Sequence, residues 1–338
     1  MKRMYYESYE RRARRNRGGR RGGGSCSGWL VRCLFRLILF VLVLALIAAA
    51  ALYALPVALL NVEPVGTELA LTDGLPGSRV NVLLLGLDSL NGSGQRSDAM
   101  IVASVGYGGV KLTSLMRDTV VDIPGHGRQK LNAAYAIGGA DLAMRTVNQT
   151  FRLNITNYVA CDFRAMVDII DALGGVEVEV DQGELKYLNS YAGHTFRILQ
   201  SMNREKYGHY ADSEPIYATG TMRLNGLFAT AYSRIRYSDS DYVRTSRQRE
   251  ILSAMVARCR ERWWNPLIYA RMYLALRDSV QTNMSIPELI SLGEKAVISG
   301  EIDTLRLPLD GYLYDNNSTI EITDLDATVR ALHAFIYD

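Results

Sequence analysis

Asn81–Asp88 reads NVLLLGLD, a short continuous apolar run that stops at a glycine and an acid. Such a run suits a strand covered on both faces, because apolar/polar alternation appears only where one face meets water. In open α/β sheets ligands gather beyond the carboxyl ends of the strands, which puts Asp88 at a binding rim. Outward from it, the polar loop SLNGSGQRSDAM carries Arg96 and Asp98. Two further strand-like runs, Met100–Val105 and Val110–Leu115, join at Tyr107-Gly108-Gly109, and the second leads into Met116-Arg117-Asp118. Arg96, Arg117 and the acids Asp88, Asp98 and Asp118 are thereby predicted on one rim. Downstream, Gln129 opens a loop that leads into a helix over Ala140–Phe151, and Asn157–Asp162 is a strand. Phe163–Leu173 is an amphipathic helix stopped by Gly174 and Gly175, and Val176–Val180 alternates as VEVEV. Strands and helices alternate, so the fold class is α/β.

A second stretch supplies the charge. Ala231–Gln248, AYSRIRYSDSDYVRTSRQ, holds Arg234, Arg236, Arg244 and Arg247 with Asp239, Asp241 and Gln248. In an extended segment Arg234 and Arg236 point the same way, and at a helix start Arg244, Arg247 and Gln248 share a face. Guanidinium forks match phosphate oxygens in pairs, so this cluster reads as a polyanion site, against the alternative of a solvated salt-bridged surface. Carboxylates without Cys or His nearby favour a hard cation, Mg²⁺ with Mn²⁺ as the substitute, and Asp88 and Asp98 are its candidate ligands. His126, His194, His209 and His333 lie away from these stretches and read as surface or packing residues.

The net charge of +3 is split. Residues 1–36 carry eleven Lys/Arg against Glu7 and Glu10, and the remainder is acidic at −6. An acidic main domain argues against nucleic acid as a partner. Leu37–Leu60 is 24 residues without a charge, long enough to span a bilayer, with Arg32 and Arg36 before it and Glu63 and Glu68 after it. The basic flank stays inside, so a single-pass anchor with an external domain is expected, rather than a cleaved signal peptide. The organisation expected is a basic cytoplasmic arm (1–36), a transmembrane helix (37–60), a Gly/Pro-rich linker (61–79) and one domain (80–338). Cys161 and Cys259 lack metal-ligand spacing; they are either a disulfide or two separately buried thiols.

Five motifs, in order, now carry a resemblance: GLDSLNGSGQRSDAM, SLMRDTVVDIPGHGRQKLNAAYAIGG, DALGGVEV, the stretch from RLNGLFAT and its continuation AYSRIRYSDSDYVRTSRQ. Together they resemble the LytR-CpsA-Psr family of cell-wall ligases over about residues 81–252. The resemblance implies a membrane-anchored enzyme outside the cell, with a three-layer α/β/α fold around a mixed central sheet. It implies transfer of a glycopolymer from a polyprenyl (pyro)phosphate carrier to peptidoglycan, with Mg²⁺. By motif, Asp88 and Asp98 resemble the Mg²⁺-associated acids. Arg96, Arg117, Arg234, Arg236, Arg244 and Gln248 resemble the pyrophosphate clamp, with Arg247 beside that glutamine and Asp241 the acid ahead of Arg244. Asp88, Asp98 and Asp241 all remain open as the proton acceptor. The resemblance also implies a lipid tunnel, with candidate walls at Ala140–Phe151, Phe163–Leu173 and Ile251–Met255.

Between Val180 and Leu224 runs a tyrosine-rich segment longer than the resemblance implies, with Tyr187, Tyr191, Tyr207, Tyr210 and Tyr217. It reads either as a loop that stacks on sugars or as an insertion folded on itself. The tail completes the same domain: the arginine-led helix runs on to Trp264, and a second apolar helical pattern covers Leu267–Leu276. A helix to Ala296 starts at a Ser285/Glu288 capping box, then come a strand at Leu305–Leu309 and a closing helix over Thr323–Ile336. Two rivals use the same residues differently: a pyrophosphatase in which water attacks, and a non-catalytic membrane-bound regulator or wall-binding protein.

Overall fold

The computed structural model describes residues 61–338 apart from 63–64, 67, 88–94, 107, 237–240, 263–264, 266–267, 269–270, 273, 276–278 and 299–300, and gives backbone alone at Asn61, Val62 and Asp241. Asp88 and the side chain of Asp241, both expected in the site, therefore lie outside the described residues, as does the predicted span Leu37–Leu60. Among the described residues no helix is long and apolar enough to cross a membrane. The chain falls into two units, Met1–Pro56 and Val57–Asp338, and everything described belongs to the second.

The strands are β1 (Asn61–Val62), β2 (Arg79–Leu87), β3 (Ser97–Gly106), β4 (Gly109–Leu115), β5 (Val120–Ile123), β6 (Gly127–Lys130), β7 (Asn157–Asp162), β8 (Val176–Val180), β9 (Gly220–Leu224), β10 (Val280–Thr282), β11 (Ile302–Leu307), β12 (Leu313–Asp315) and β13 (Ile320–Ile322). The longer helices are α1 (Ala133–Phe151), α2 (Phe163–Ala172), α3 (Gln182–Met202), α4 (Gly226–Arg234), α5 (Asp241–Glu261), α6 (Ile286–Ile298) and α7 (Leu325–Tyr337). Seven strands form the central sheet in the order β1-β10-β7-β2-β3-β4-β11. The sheet is mixed: β2 runs parallel to β7 and β4 to β11, while β3 is antiparallel to both its neighbours.

Helices cover both faces of this sheet. Leu83, Leu85, Met100 and Val102 pack with Met144, Val147 and Phe151 of α1 and Leu332 and Ile336 of α7. Ile101, Ala103 and Val105 turn the other way, toward Leu252 of α5 and Leu292 of α6. A third cluster joins α2, β8, α3, β9, α4 and α5, with Val167, Val178, Leu188, Leu227 and Ile251 at its centre. The three-layer arrangement expected from the resemblance is thus present, with β8 and β9 pairing outside the main sheet.

Several local expectations change. Asp98 sits in β3 rather than in a loop, because Leu87 pairs with Ser97 across an irregularity after Gly86. Asp98 is the residue that the register skips, between Ser97 opposite Leu87 and Ala99 opposite Gly86, so it sits at a β-bulge. Arg234 is the last residue of helix α4, so the Arg234–Arg236 pair is not extended throughout. The first half of the tyrosine-rich segment is the helix α3, with Tyr187 and Tyr191, opened by a capping box in which Asp181 accepts from the Glu184 amide and Glu184 accepts from the Asp181 amide. The hairpin β5–β6 and strands β9 and β10 had no sequence signal strong enough to propose them. Helix α1 breaks at Gly138–Gly139, where Gly139 has φ 64°. Of the expected Ser285/Glu288 capping box, the half in which Glu288 Oε2 accepts the Ser285 amide at 2.7 Å is present, the Ser285 hydroxyl donating to the same oxygen, and Asp324 caps α7.

Gly226 shows how tightly the third cluster is built. A Cβ there would lie 2.2 Å from the Val167 carbonyl oxygen of α2. No side chain can rotate to relieve that overlap. Gly226→Ala is expected to cost about 1–3 kcal/mol or more, read as a lower denaturant midpoint, and an unchanged midpoint would contradict this close approach.

Candidate functional site

Burial along β2 and β7 breaks the pattern of a filled core. Leu83 and Leu85 are buried, whereas Leu84 and Gly86 between and beyond them are only partly so; in β7, Tyr158 and Ala160 are buried while Val159 and Cys161 are not. The partly covered residues all face one cavity of about 480 Å³ between the second face of the sheet and helices α2, α4 and α5. Its inner wall is apolar, made by Leu84, Ile101, Val159, Met166, Ile169, Leu252 and Met255. At its other end stand Asp98, Arg234, Arg236, Arg244 and Gln248. Of the walls expected from the resemblance, Phe163–Leu173 and Ile251–Met255 contribute, whereas α1 packs on the opposite face of the sheet.

The strand directions explain why the polar groups meet. β2, β4, β7 and β11 end on the same edge, and antiparallel β3 begins there, so Asp98 near the start of β3 faces Arg117 just past β4. Arg117 donates from Nη1 to Asp98 Oδ1, and its Nε stands 3.4 Å from Asp118 Oδ2. Lys130 Nζ completes the row with a 2.8 Å bond to Asp118 Oδ1. From the first turns of α5, buried Arg244 reaches the same strand, its Nη2 donating to the Asp98 carbonyl at 2.9 Å. Arg234 Nη1 donates to Thr195 Oγ1 at 3.0 Å, and its guanidinium carbon lies 5.3 Å from the centre of the Phe163 ring. The exposed Arg236 is tethered through its backbone N–H, which donates to the Tyr191 hydroxyl at 3.3 Å.

Three expected clamp residues are placed differently. Arg247 is 3% exposed and absent from the cavity wall. It donates from Nε to Glu184 Oε1 at 2.7 Å and from Nη1 to the Ile235 carbonyl at 2.9 Å. The i, i+3, i+4 argument put Arg244, Arg247 and Gln248 on one face, but at 100° per residue Arg247 is the one turned inward against α3 and α4. Arg96 is exposed and does not line the cavity. Arg117 also stands off the cavity wall, behind Asp98.

Other residues were missed from sequence. His194 of α3 lines the cavity, against the expectation of a remote histidine, and Tyr191, one of the tyrosines open to a stacking role, lines it too. Asp162 lies at its edge, 1% exposed, capping α2 by accepting from the Arg164 and Ala165 amides and pairing with the Arg164 guanidinium. Cys161 and Cys259 are free thiols. Burial, with a smaller effect from Asp162, pushes Cys161 up to about 12, and burial pushes Cys259 up to about 11. With no metal bound, both therefore stay thiols at neutral pH. Among the described residues no group of three or more His, Cys, Asp or Glu side chains is arranged to hold a metal ion.

Chemically, part of the cavity wall is apolar and part offers guanidiniums beside a carboxylate. Comparison with known proteins gives the lineage. The polyisoprenyl-teichoic acid–peptidoglycan teichoic acid transferase TagU of Enterococcus faecalis is 33% identical, over 73% of this chain and 76% of that protein. The crystal structure of Bacillus subtilis TagV, 26% identical, superposes with a TM-score of 0.57 over 78% of this chain and 98% of that one. The fold is also that of a TagT structure with bound octaprenyl pyrophosphate lipid, at 24% identity and a TM-score of 0.55 over 77% of this chain and 91% of that one. The LytR_cpsA_psr family model matches residues 64–333, and the chain belongs to that family.

Proposed function

We propose that the protein transfers a glycopolymer from a polyprenyl (pyro)phosphate carrier to peptidoglycan, forming a phosphodiester. One observation carries this reading: a single cavity is apolar between the sheet and α2, α4 and α5 and ends at Arg234, Arg236, Arg244 and Asp98. That division matches an amphiphile with a long hydrocarbon tail and a diphosphate head. The transferase name of the Enterococcus faecalis relative and the octaprenyl pyrophosphate held by a protein of the same fold support the same donor class. The apolar stretch Leu37–Leu60, with its basic flank, supports a membrane-anchored protein with this domain outside.

In the proposed reaction an acceptor hydroxyl of peptidoglycan attacks the glycan-bearing phosphorus and gives its proton to a site aspartate, with Asp88, Asp98 and Asp241 as the candidates. The bond from that phosphorus to the bridging oxygen breaks, and prenyl phosphate leaves with the electron pair. The chain's work is positioning and charge stabilisation. Arg234, Arg236 and Arg244 bind non-bridging oxygens, and Arg117 orients Asp98. The donor set suits Mg²⁺, which needs only one or two protein carboxylates beside phosphate oxygens and water. Asp98, with Asp88 by motif, is the proposed ligand pair, and the ion supplies Lewis-acid neutralisation of the phosphate charge.

The test is an assay of the full chain in detergent with a lipid-linked glycan, peptidoglycan oligomers and Mg²⁺. A glycan–peptidoglycan conjugate is expected. Release of glycan phosphate with no conjugate would make the protein a pyrophosphatase. Arg236→Ala should raise the donor KM about tenfold or more, and Arg236→Lys should restore little, because the bidentate fork is lost.

A further inference from the structure

The helix α3 belongs to none of the motifs that carry the family resemblance, yet it touches the cationic end of the cavity at three neighbouring positions. Leu188, Ala192, Thr195 and Leu199 recur at helical spacing and are all buried. Three of the four are apolar and pack in the third hydrophobic cluster. Thr195 is the hydroxyl among them, at zero exposure; the other buried polar residue of this stripe, Glu184, is taken up by Arg247. The Thr195 oxygen meets Arg234 Nη1 at 3.0 Å. One turn earlier Tyr191 accepts the Arg236 amide at 3.3 Å. Both members of the Arg-Ile-Arg pair are therefore held from the same helix. Arg234 is also contacted by the Phe163 ring of α2, whose centre is 5.3 Å from its guanidinium carbon. His194, adjacent to Thr195 and one turn from Tyr191, is exposed and lines the same cavity as Arg234, Arg236 and Arg244.

We propose that α3 is a working part of the diphosphate site: Thr195 and Tyr191 are positioning residues for Arg234 and Arg236, and His194 contacts the bound diphosphate directly. A guanidinium already held in its binding orientation loses less freedom when the ligand arrives, so its bonds to phosphate contribute more to affinity. The imidazole adds an N–H donor beside those guanidiniums. This inference rests on the prenyl diphosphate donor reading above and assigns it three further residues.

The probe is geranylgeranyl diphosphate, with geranylgeraniol as the headgroup-free control, titrated calorimetrically into the full chain in detergent. Thr195→Val and His194→Ala are each expected to weaken diphosphate binding about tenfold, the scale of a lost bond to a charged group. Thr195→Ser should bind like the unmodified protein, since it restores the hydroxyl. Tyr191→Phe should weaken binding in the same direction, and none of the variants should change binding of the alcohol. Equal losses for alcohol and diphosphate would mean that α3 merely supports the cavity, and that overturns the proposal. So does diphosphate affinity unchanged in both Thr195→Val and His194→Ala. If the unmodified protein binds no diphosphate, the donor reading itself fails; if it binds and the variants match it, only the role of α3 does.

Discussion

Asp98→Asn is expected to lower transfer about a hundredfold or more while leaving the protein folded. Asparagine keeps the shape of the side chain and an oxygen to accept the Arg117 Nη1 bond, so the contact between β3 and the segment after β4 survives. What disappears is the negative charge at the mouth of the cavity. If that charge holds Mg²⁺ against the donor's phosphate oxygens, the variant should need far more Mg²⁺ to reach its residual rate, and EDTA should no longer separate it from background. Removal of one electrostatic contributor of this kind commonly lowers turnover by two to three orders of magnitude. The competing role for Asp98 is counterion to Arg117 alone. On that role the variant keeps its Mg²⁺ dependence and loses activity only modestly. A Mg²⁺ titration of turnover separates the two, and an unchanged half-saturating concentration refutes the metal assignment.

Arg247→Ala should unfold the protein more readily than any substitution on the cavity wall. Its side chain and that of Glu184 are 4% and 9% exposed and are joined at 2.7 Å. Tyr232 ties the same carboxylate at 3.1 Å and reaches Glu250 at 2.8 Å. Its phenol is held well above the usual tyrosine range, first by burial and then by Glu250 and Glu184. Deleting one member of a buried ion pair strands the other charge, at about 3–5 kcal/mol. The double substitution Arg247→Met with Glu184→Leu removes both charges and should recover most of that loss. Thermal unfolding measures it, and donor titration of the folded fraction gives the second readout. If Arg247 is structural, donor affinity per folded molecule stays the same; a large loss of affinity without loss of stability would return it to the clamp.

These two residues also show what was legible before folding. Motif order, the split of charge and the placement of Asp98 and Arg117 on one rim all follow from local pattern. A strand's exit and a helix's cap are decided within a few residues. Arg244 and Gln248 likewise reach the cavity from the first turns of α5. Arg247 does not, since sequence spacing gives the angle between side chains on a helix but not which angle faces the ligand. That direction is fixed by what packs against the helix, here Glu184 and Ile235.

The amino-acid sequence by itself determined the α/β class, the family and most members of the cationic cluster, because those rest on short-range periodicity and on residue types that only certain chemistry uses. Only the tertiary structure decided that Leu84, Val159 and Cys161 border a cavity instead of a filled core. An apolar residue looks the same in a chain whether its neighbour is another side chain or empty space. It also decided that α3, with Tyr191, His194 and Thr195, stands at the arginines' backs. That depends on long-range packing of one helix against α2, α4 and α5, which no local pattern encodes.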